Sequence, residues 1–162
     1  MTNEREAAIY IDADACPVKE QVYRVAMRYD VPVWVVANSP MRIPVQTGLR
    51  ARMVVVPDSP DAADAWIADH VSPGDLVLTA DIPLAAQTVE IGIRTLDFRG
   101  KEFRPASIGN ALAARDVNAL LRSMGEVTRG PAPVTNKDRG RFASLLDTVV
   151  SAMARDRGQA SN

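Results

Sequence analysis

One stretch near the N-terminus limits what this chain can fold into more than any other. Residues 7–11 are apolar and rich in β-branched or aromatic side chains, and Asp12 and Asp14 follow them at once. A short, continuously apolar run is typical of a central strand that helices cover on both faces. Pro17 then suits the first turn of a helix, where its missing N–H costs nothing. This unit favours an α/β fold.

The rest of the chain alternates strand and helix patterns. Further strands are predicted within residues 31–37, 52–56, 76–78 and 93–96. Helices are predicted at about 18–30, 61–71, 82–91, 107–124 and 136–155, where apolar residues recur at helical spacing. This pattern predicts a single-domain, three-layer α/β fold with a mostly parallel central sheet of about five strands and helices on both faces. We expect one domain over residues 1–155 and a disordered tail over 156–162.

Charge and cysteine content restrict the partners of the protein. A formal net charge of -1 gives no overall attraction to nucleic acid or to anionic membranes, so any site for a polyanion must be local. The single cysteine excludes an internal disulfide, and no apolar run is long enough to span a membrane. We therefore expect a cytoplasmic protein without membrane association or a disulfide-linked partner. The sequence does not indicate an oligomeric state.

Acidic residues follow three of the predicted strands. They are Asp12 and Asp14 after the first strand, Asp58, Asp61 and Asp64 after the third, and Asp81 after the fourth. Open parallel sheets bind ligands at the carboxyl ends of their strands, so we expect these acids to converge. Carboxylates at close range repel one another unless a cation lies between them. Oxygen ligands without His or Cys suit Mg²⁺ or Mn²⁺ rather than Zn²⁺.

A structural role is the alternative for some of these acids. Asp is common at helix N-termini, where it accepts hydrogen bonds from free N–H groups, and Asp58, Asp61 or Asp81 could each serve only as a cap. A cap explains one carboxylate at a strand-to-helix turn. It does not explain both Asp12 and Asp14, which are separated by a single alanine, so the functional interpretation is favoured there.

Several segments resemble known families. The pattern Ile-Tyr-Ile-Asp12, then Asp61-Ala-Ala-Asp64, then Thr79-Ala-Asp81 resembles the acidic motifs of PIN-domain and related NYN nucleases. A closer resemblance, over nearly the whole chain, is to the YaiI/YqxD family of small bacterial proteins. It is carried by Asp-Ala-Asp-Ala-Cys-Pro at 12–17, the strand end at Asn38, and residues 109–115 and 130–142. That family is functionally uncharacterised, so the resemblance implies a PIN-like fold more than an activity.

The resemblance also implies roles for individual residues. Asp12, Asp64 and Asp81 would be metal ligands, with Asp14 as a fourth, and Thr79 would orient a ligand or a water molecule. Asp61 lies one helical turn before Asp64, so both would share a helix face and Asp61 would join the ligand set. We predict a Mg²⁺- or Mn²⁺-dependent nuclease, with RNA favoured over DNA. Its catalytic residues would be Asp12, Asp14, Asp64 and Asp81.

Basic residues that could hold substrate phosphates occur in clusters. The predicted phosphate contacts are Arg99, Lys101, Lys137, Arg139 and Arg141, together with Asn38 and Thr79 at strand ends. Arg94, Arg104 and Arg129 belong to the same clusters, and a further group surrounds the third strand. For any single arginine, a solvated surface position is the ordinary alternative. Few aromatic residues accompany them, so stacking of bases is poorly supported.

Three other functions remain open. Asp12 and Asp14 also resemble the Asp-x-Asp signature of haloacid-dehalogenase-type phosphatases, in which the first Asp is the nucleophile. Against this, Gly74-Asp75 precedes the fourth strand, whereas that family carries such a pair after a strand. A non-catalytic RNA-binding domain would retain the acids without turnover. Cys16 could act as a thiolate at a helix N-terminus, although a free cysteine is usually a small buried hydrophobic residue.

Overall fold

Strands and helices alternate along the chain as the sequence predicts. The structure, a computed structural model, describes residues 5–126 and 132–160. The strands are β1 (Ile9–Asp12), β2 (Val33–Ala37), β3 (Ala51–Val55), β4 (Leu76–Leu78), β5 (Arg94–Leu96) and β6 (Glu102–Phe103). The helices are α1 (Lys19–Tyr29), α2 (Ala62–His70), α3 (Ile82–Glu90), α4 (Pro105–Ser123) and α5 (Asn136–Ala160).

The six strands form one sheet in the order β3-β2-β1-β4-β5-β6. The first five strands are parallel, and β6 runs antiparallel to β5. In β1, Ile11 lies between Val35 of β2 and Leu78 of β4. The chain order reverses between β1 and β4, and a sheet of this type opens a crevice at the carboxyl ends of the two strands at such a point. Of the predicted acids, Asp12, Asp14 and Asp81 lie at the ends of the two strands that flank this crevice, whereas Asp58, Asp61 and Asp64 follow the edge strand β3.

Helices cover both faces of the sheet because side chains of β1 alternate between them. Ile9 and Ile11 are fully buried and share one core with Phe142 and Leu146 of α5, where α1 also packs. Tyr10 points to the opposite face, into a core that includes Ile67 of α2 and Leu84 of α3. The three-layer α/β architecture predicted from the sequence is confirmed.

Two predicted boundaries at the start of the chain and after β5 are wrong. Pro17 is not in the first turn of α1, because the helix begins at Lys19 with Val18 as its N-cap. The segment after β5, where the sequence analysis predicts no strand, contains β6. The Asp97 carboxylate accepts hydrogen bonds from the backbone N–H groups of Arg99 and Lys101, at 2.9 and 2.8 Å, and this turn returns the chain beside β5.

The last helix continues beyond its predicted end. Residues 156–160, expected to belong to a disordered tail, are helical, whereas 161–162 lie outside the described residues. Arg157 explains the extension, since its guanidinium donates to the carbonyl oxygens of Asp30 at 2.6 Å and Tyr29 at 3.1 Å. These bonds tie the end of α5 to the end of α1.

The remaining helix, α4, lies beside α3. Ile108 of α4 packs against Ala85 and Val89 of α3 and against Phe103 of β6. Among the helices of the described ranges, none combines the length and the apolar composition needed to cross a membrane.

Close packing between the turn after β5 and α5 makes Gly100 a sensitive position. Gly100 has φ 87°, and a Cβ atom there would lie 2.7 Å from the backbone C of Arg141 and N of Phe142. We expect Gly100→Ala to lower the free energy of unfolding by about 3 kcal/mol or more, because helix backbone cannot move aside cheaply.

Gly92→Ala is the matched control, since Gly92 has φ 84° but open space around it. Strain of the left-handed conformation alone should cost about 1–2 kcal/mol. Urea denaturation of both variants measures the difference. Equal losses would contradict a steric role for Gly100.

Candidate functional site

A cleft of about 490 Å³ opens at the carboxyl edge of the sheet, at the crevice between β1 and β4. It is lined by Asp12, Asp14, Ala15, Asn38, Asp58, Ser59, Pro60, Ala63, Asp64, Ala80, Asp81 and Phe98. The four aspartates predicted as catalytic are all in this set, and no lysine or arginine is. Parallel strands thus bring together acids that are far apart in sequence, while their catalytic role stays a prediction.

Asp12 and Asp81 are joined through Thr79, which is fully buried at the end of β4. The Thr79 hydroxyl donates to Oδ2 of Asp12 at 2.8 Å and accepts from the backbone N–H of Asp81 at 2.9 Å. Asp81 is also the N-cap of α3, because its Oδ1 accepts from the N–H of Leu84 at 2.9 Å. Asp81 therefore combines helix capping with a place in the cleft, and Thr79 fixes the orientation of Asp12.

Asn38, at the end of β2, connects two other acids of the cleft. Its backbone N–H lies 3.2 Å from both carboxylate oxygens of Asp14, and its side-chain amide donates to Oδ1 of Asp58 at 3.2 Å. Asp14 does not cap α1, whose N-cap is Val18. Both donor groups of Asn38, a predicted phosphate contact, serve carboxylates in this structure.

The two acids at the start of α2 differ in position relative to the cleft. Asp64, in the first turn of the helix, lines the cleft. Asp61 is the exposed N-cap residue, its side chain makes no capping hydrogen bond, and it is outside the set that lines the cleft. The charge of Asp61 nevertheless helps to raise the pKa of Asp64, so the place of Asp61 in the ligand set stays a prediction.

Crowding of carboxylates changes their acidity. Burial raises the pKa of Asp12 most, the charges of Asp81 and Asp14 raise it further, and the hydrogen bond from Thr79 opposes the rise. Asp64 has its pKa raised to about 7 by burial, by the charges of Asp81 and Asp12, and by a side-chain hydrogen bond with Asp81. Because no basic side chain lines the cleft, its negative charge is not compensated within it.

The cleft fits a divalent cation in ligand type and charge. Carboxylate oxygens are ligands that Mg²⁺ and Mn²⁺ prefer, and a cation would offset both the burial and the neighbouring charges that raise the pKa of Asp64. Within residues 5–126 and 132–160, however, no three His, Cys, Asp or Glu side chains are grouped as ligands of one ion. The structure thus contains suitable donors without a preassembled ligand cage.

The predicted basic contacts lie outside the cleft. Arg99 forms an ion pair with Asp138 at 2.9 Å, and Arg141 lies 3.6 Å from the other oxygen of Asp138. Lys101 and Lys137 are exposed on the surface. Asp138 partly neutralises the charges of Arg99 and Arg141. This pairing weakens the predicted track for polyanions.

Two further members of these clusters, Arg94 and Arg104, both pair with Glu102, at 2.9 and 3.6 Å. Arg129 and the Gly130-Pro131 motif lie outside the described residues.

Arg139 occupies a different environment. A concavity of about 340 Å³ is lined by Cys16, Pro17, Lys19, Glu20, Gln21 and Arg139. Lys19 donates to the carbonyl oxygen of Cys16 at 2.9 Å, and Arg139 donates to that of Pro17 at 2.7 Å. The loop before α1 therefore lines the acidic cleft with Asp14 and Ala15 and this basic concavity with the next two residues.

Cys16 does not have the environment of a reactive thiol. Its side chain is only 5% exposed, and burial raises its pKa to about 11. A thiol with this pKa is protonated at neutral pH, so the structure does not support a thiolate nucleophile at this position.

Two residues that line the cleft, Asp58 and Phe98, are not among the predicted site residues. Asp58 is predicted only as an acid after the third strand and a possible cap. The expectation that acids after parallel strands converge applies to it as much as to Asp64. Phe98 follows β5 and lines the cleft, but an apolar side chain carries no chemical signal that distinguishes it from core.

Comparison with known proteins places the chain in a family. A sequence model of the uncharacterised YaiI/YqxD family matches residues 10–152. The chain belongs to this family. The match includes every acid of the cleft, and the resemblance inferred from the sequence is confirmed at the level of the family.

UPF0178 proteins from several bacteria are similar to the chain over most of their length. A UPF0178 protein of Rhodospirillum centenum is 50% identical over 153 residues, which are 92% of this chain and 98% of the relative. One from Brucella suis is 49% identical over 156 residues, covering 96% of each chain. No solved structure is significantly similar to the chain. The PIN-like assignment of the fold therefore stays a prediction.

The raised pKa of Asp64 predicts a pH-dependent effect of its removal. Its folded-state pKa of about 7 exceeds the ordinary value of an aspartate, so ionisation of Asp64 lowers the stability of the wild type as pH rises from about 4 to 7. We expect Asp64→Asn to stabilise the protein at pH 8 by about 1–2 kcal/mol, a figure reduced for solvent screening, and by much less at pH 4.5.

Urea denaturation at the two pH values measures this difference. Asp69→Asn is the control, because Asp69 is an exposed acid on the same helix and away from the cleft. A larger loss of stability in Asp64→Asn at pH 8 than at pH 4.5 would contradict the predicted repulsion.

Proposed function

We propose that the protein is a Mg²⁺- or Mn²⁺-dependent phosphodiester hydrolase that cleaves RNA in the acidic cleft. The observation that carries this proposal is the uncompensated crowding of Asp12, Asp64 and Asp81 at the crevice between β1 and β4. Groups with strongly shifted pKa values in a cleft are candidates for function, because folding alone gains nothing from burying carboxylates that repel one another.

Within this proposal, Asp12, Asp64 and Asp81 hold the cation, and Asp14 faces the substrate. When bound, the ion would activate water and stabilise the charge that develops on a phosphodiester. Thr79 keeps Oδ2 of Asp12 in a fixed orientation through its 2.8 Å hydrogen bond. Asn38 likewise holds Asp14 at the rim of the cleft through its backbone N–H.

The basic concavity supports a substrate with more than one phosphate. Lys19 and Arg139 donate to backbone carbonyl oxygens, and with Glu20 as the third charged side chain that lines the concavity, its lining carries a net positive charge. A phosphate next to the scissile one could bind there, because one loop lines both sites. Lys101 and Lys137 stay predicted contacts at the surface. Arg99 and Arg141 instead hold Asp138 at the start of α5.

No observation favours the phosphatase alternative. Asp12 would have to act as the nucleophile, and the basic residue that such phosphatases use is absent from the side chains that line the cleft. The RNA-cleavage measurement therefore also tests for hydrolysis of a phosphomonoester and for binding of RNA without turnover.

Mn²⁺ should raise the melting temperature of the wild type. A ligand at about 100 times its Kd stabilises the native state by about 2.7 kcal/mol, which is several degrees for a domain of this size. We expect Asp12→Asn to abolish most of this shift and Asp69→Asn to retain it. Thermal melts with Mn²⁺ and with EDTA make the comparison, and an equal shift in all three proteins would contradict a metal site in the cleft.

The wild type should cleave single-stranded RNA in the presence of Mn²⁺. We expect Asp12→Asn to lower the rate by about 100-fold or more, since it removes a group that acts on the reacting atoms, and Asp69→Asn to leave it unchanged. Release of phosphate from a generic phosphomonoester without strand cleavage would point to a phosphatase. Binding of RNA without turnover, unaffected by Asp12→Asn, would point to a non-catalytic domain.

A further inference from the structure

We propose that a pocket at the amino ends of β2 and β3 binds a nucleoside monophosphate unit, either free or as part of an RNA strand. We call it the β3-edge pocket. Its strand residues stand at the start of each strand, so it lies at the edge of the sheet opposite the acidic cleft. No residue lines both the pocket and the cleft, so the proposal does not rest on the proposed function.

The β3-edge pocket has the size and the composition of a site for a small ligand. Its volume is about 510 Å³, within the range of about 300–1,000 Å³ that is usual for such sites. Pro32, Trp34 and Leu49 are apolar members of its lining, and three arginines and one glutamate are its charged members. The lining therefore favours a ligand that is partly apolar and carries negative charge.

Trp34 provides this pocket with an ordered aromatic surface. Its ring stacks on that of the buried Tyr10, with centroids 6.5 Å apart and planes inclined by 23°, and its centroid lies 6.2 Å from that of Trp66. These neighbours fix the orientation of a side chain that is itself only half-buried. A nucleobase can stack on such a ring at little cost in side-chain entropy, because the ring is already ordered.

Arg52 is the arginine of the pocket that has no carboxylate partner among the described residues. Its guanidinium lies 5.7 Å from the centroid of the Trp34 ring, and its side chain is exposed. Arg5 and Arg50, by contrast, are already paired with carboxylates. A guanidinium without an acidic partner suits bidentate binding of a phosphate, and its planar face can also stack on a base.

The edge of the sheet leaves backbone groups available to the polar rim of a base. No strand of the described residues lies beyond β3. The carbonyl oxygen of Arg50 accepts from the N–H of Val33 at 2.8 Å, so it points toward β2. Backbone groups of successive strand residues point in opposite directions, so those of Ala51 point away from β2. Because Ala51 also lines the pocket, it offers one donor and one acceptor there.

These features together favour a nucleotide over simpler ligands. Inorganic phosphate would leave the face of Trp34 unused, and an uncharged aromatic molecule would leave Arg52 unpaired. A nucleoside monophosphate uses both groups, and the edge of its base can bond with the backbone of Ala51. Such a unit occurs as a free nucleotide and within an RNA strand, and experiment can tell these two sources apart.

Fluorescence of Trp34 tests where the base binds. The chain has two tryptophans, so Trp66→Phe leaves Trp34 as the fluorophore and Trp34→Phe leaves Trp66. We expect AMP or hexaadenylate, titrated in EDTA to prevent metal-dependent cleavage, to quench Trp66→Phe and to quench Trp34→Phe far less. Quenching by AMP indicates a site for the free nucleotide, and quenching by hexaadenylate alone indicates a site for a unit of a strand. No quenching of Trp34 by either probe at millimolar concentration, or equal quenching of both variants, would overturn the proposal.

Calorimetric titration in EDTA tests the role of Arg52. We expect Arg52→Ala to weaken binding of AMP, or of hexaadenylate if only the strand binds, by about 10-fold or more. The same variant should bind adenosine, which lacks the phosphate, about as the wild type does. Arg24→Ala is the matched control, because Arg24 is also exposed but lies outside the pocket, and it should bind like the wild type. Equal affinities of Arg52→Ala and Arg24→Ala for the phosphate-bearing probe would overturn the proposal. Neither titration measures cleavage, so both outcomes are separate from those that test the acidic cleft.

Discussion

The burial of carboxylates that also repel one another, beside the ends of β1 and β4, is the constraint that governs the cleft. The sheet leaves Asp12 little freedom to withdraw, because β1 is paired on both sides and Ile11 is fully buried beside it. Asp81 is held equally firmly by its capping bond to Leu84. Core packing on both faces thus stabilises an arrangement that the acids alone would oppose, and the pKa of Asp64, raised to about 7 by burial and then by the charges of Asp81 and Asp12, records the combined cost.

Structural and functional roles of these acids are not alternatives. Asp81 caps α3 and Asp58 bonds to Asn38, yet both line the cleft. A capping interaction fixes one carboxylate oxygen and leaves the side chain within reach of a ligand. In this fold the helix N-termini and the strand ends meet at one edge, so the same aspartate can serve the helix and the cleft.

Much of the architecture could be predicted because buried parallel strands read as continuous apolar runs, as in β1 and β4. The convergence of strand ends in a parallel sheet also predicted that Asp12 and Asp64 lie at one site. That expectation could not tell that Asp64 rather than Asp61 lines the cleft, because the rotation of α2 about its axis depends on tertiary packing. The pairing of Arg99 with Asp138, 39 residues away, also depends on tertiary packing and could not be predicted from the sequence. The same holds for β6 and the last turn of α5.

Divalent cation binding in the cleft is the central claim, and its location can be observed directly. Crystals soaked in Mn²⁺ should show an anomalous scattering peak within coordination distance of the Asp12 carboxylate and of Asp64 or Asp81, with these side chains drawn together relative to metal-free crystals. No peak in the cleft at saturating Mn²⁺, or a peak only at another part of the surface, would contradict the claim.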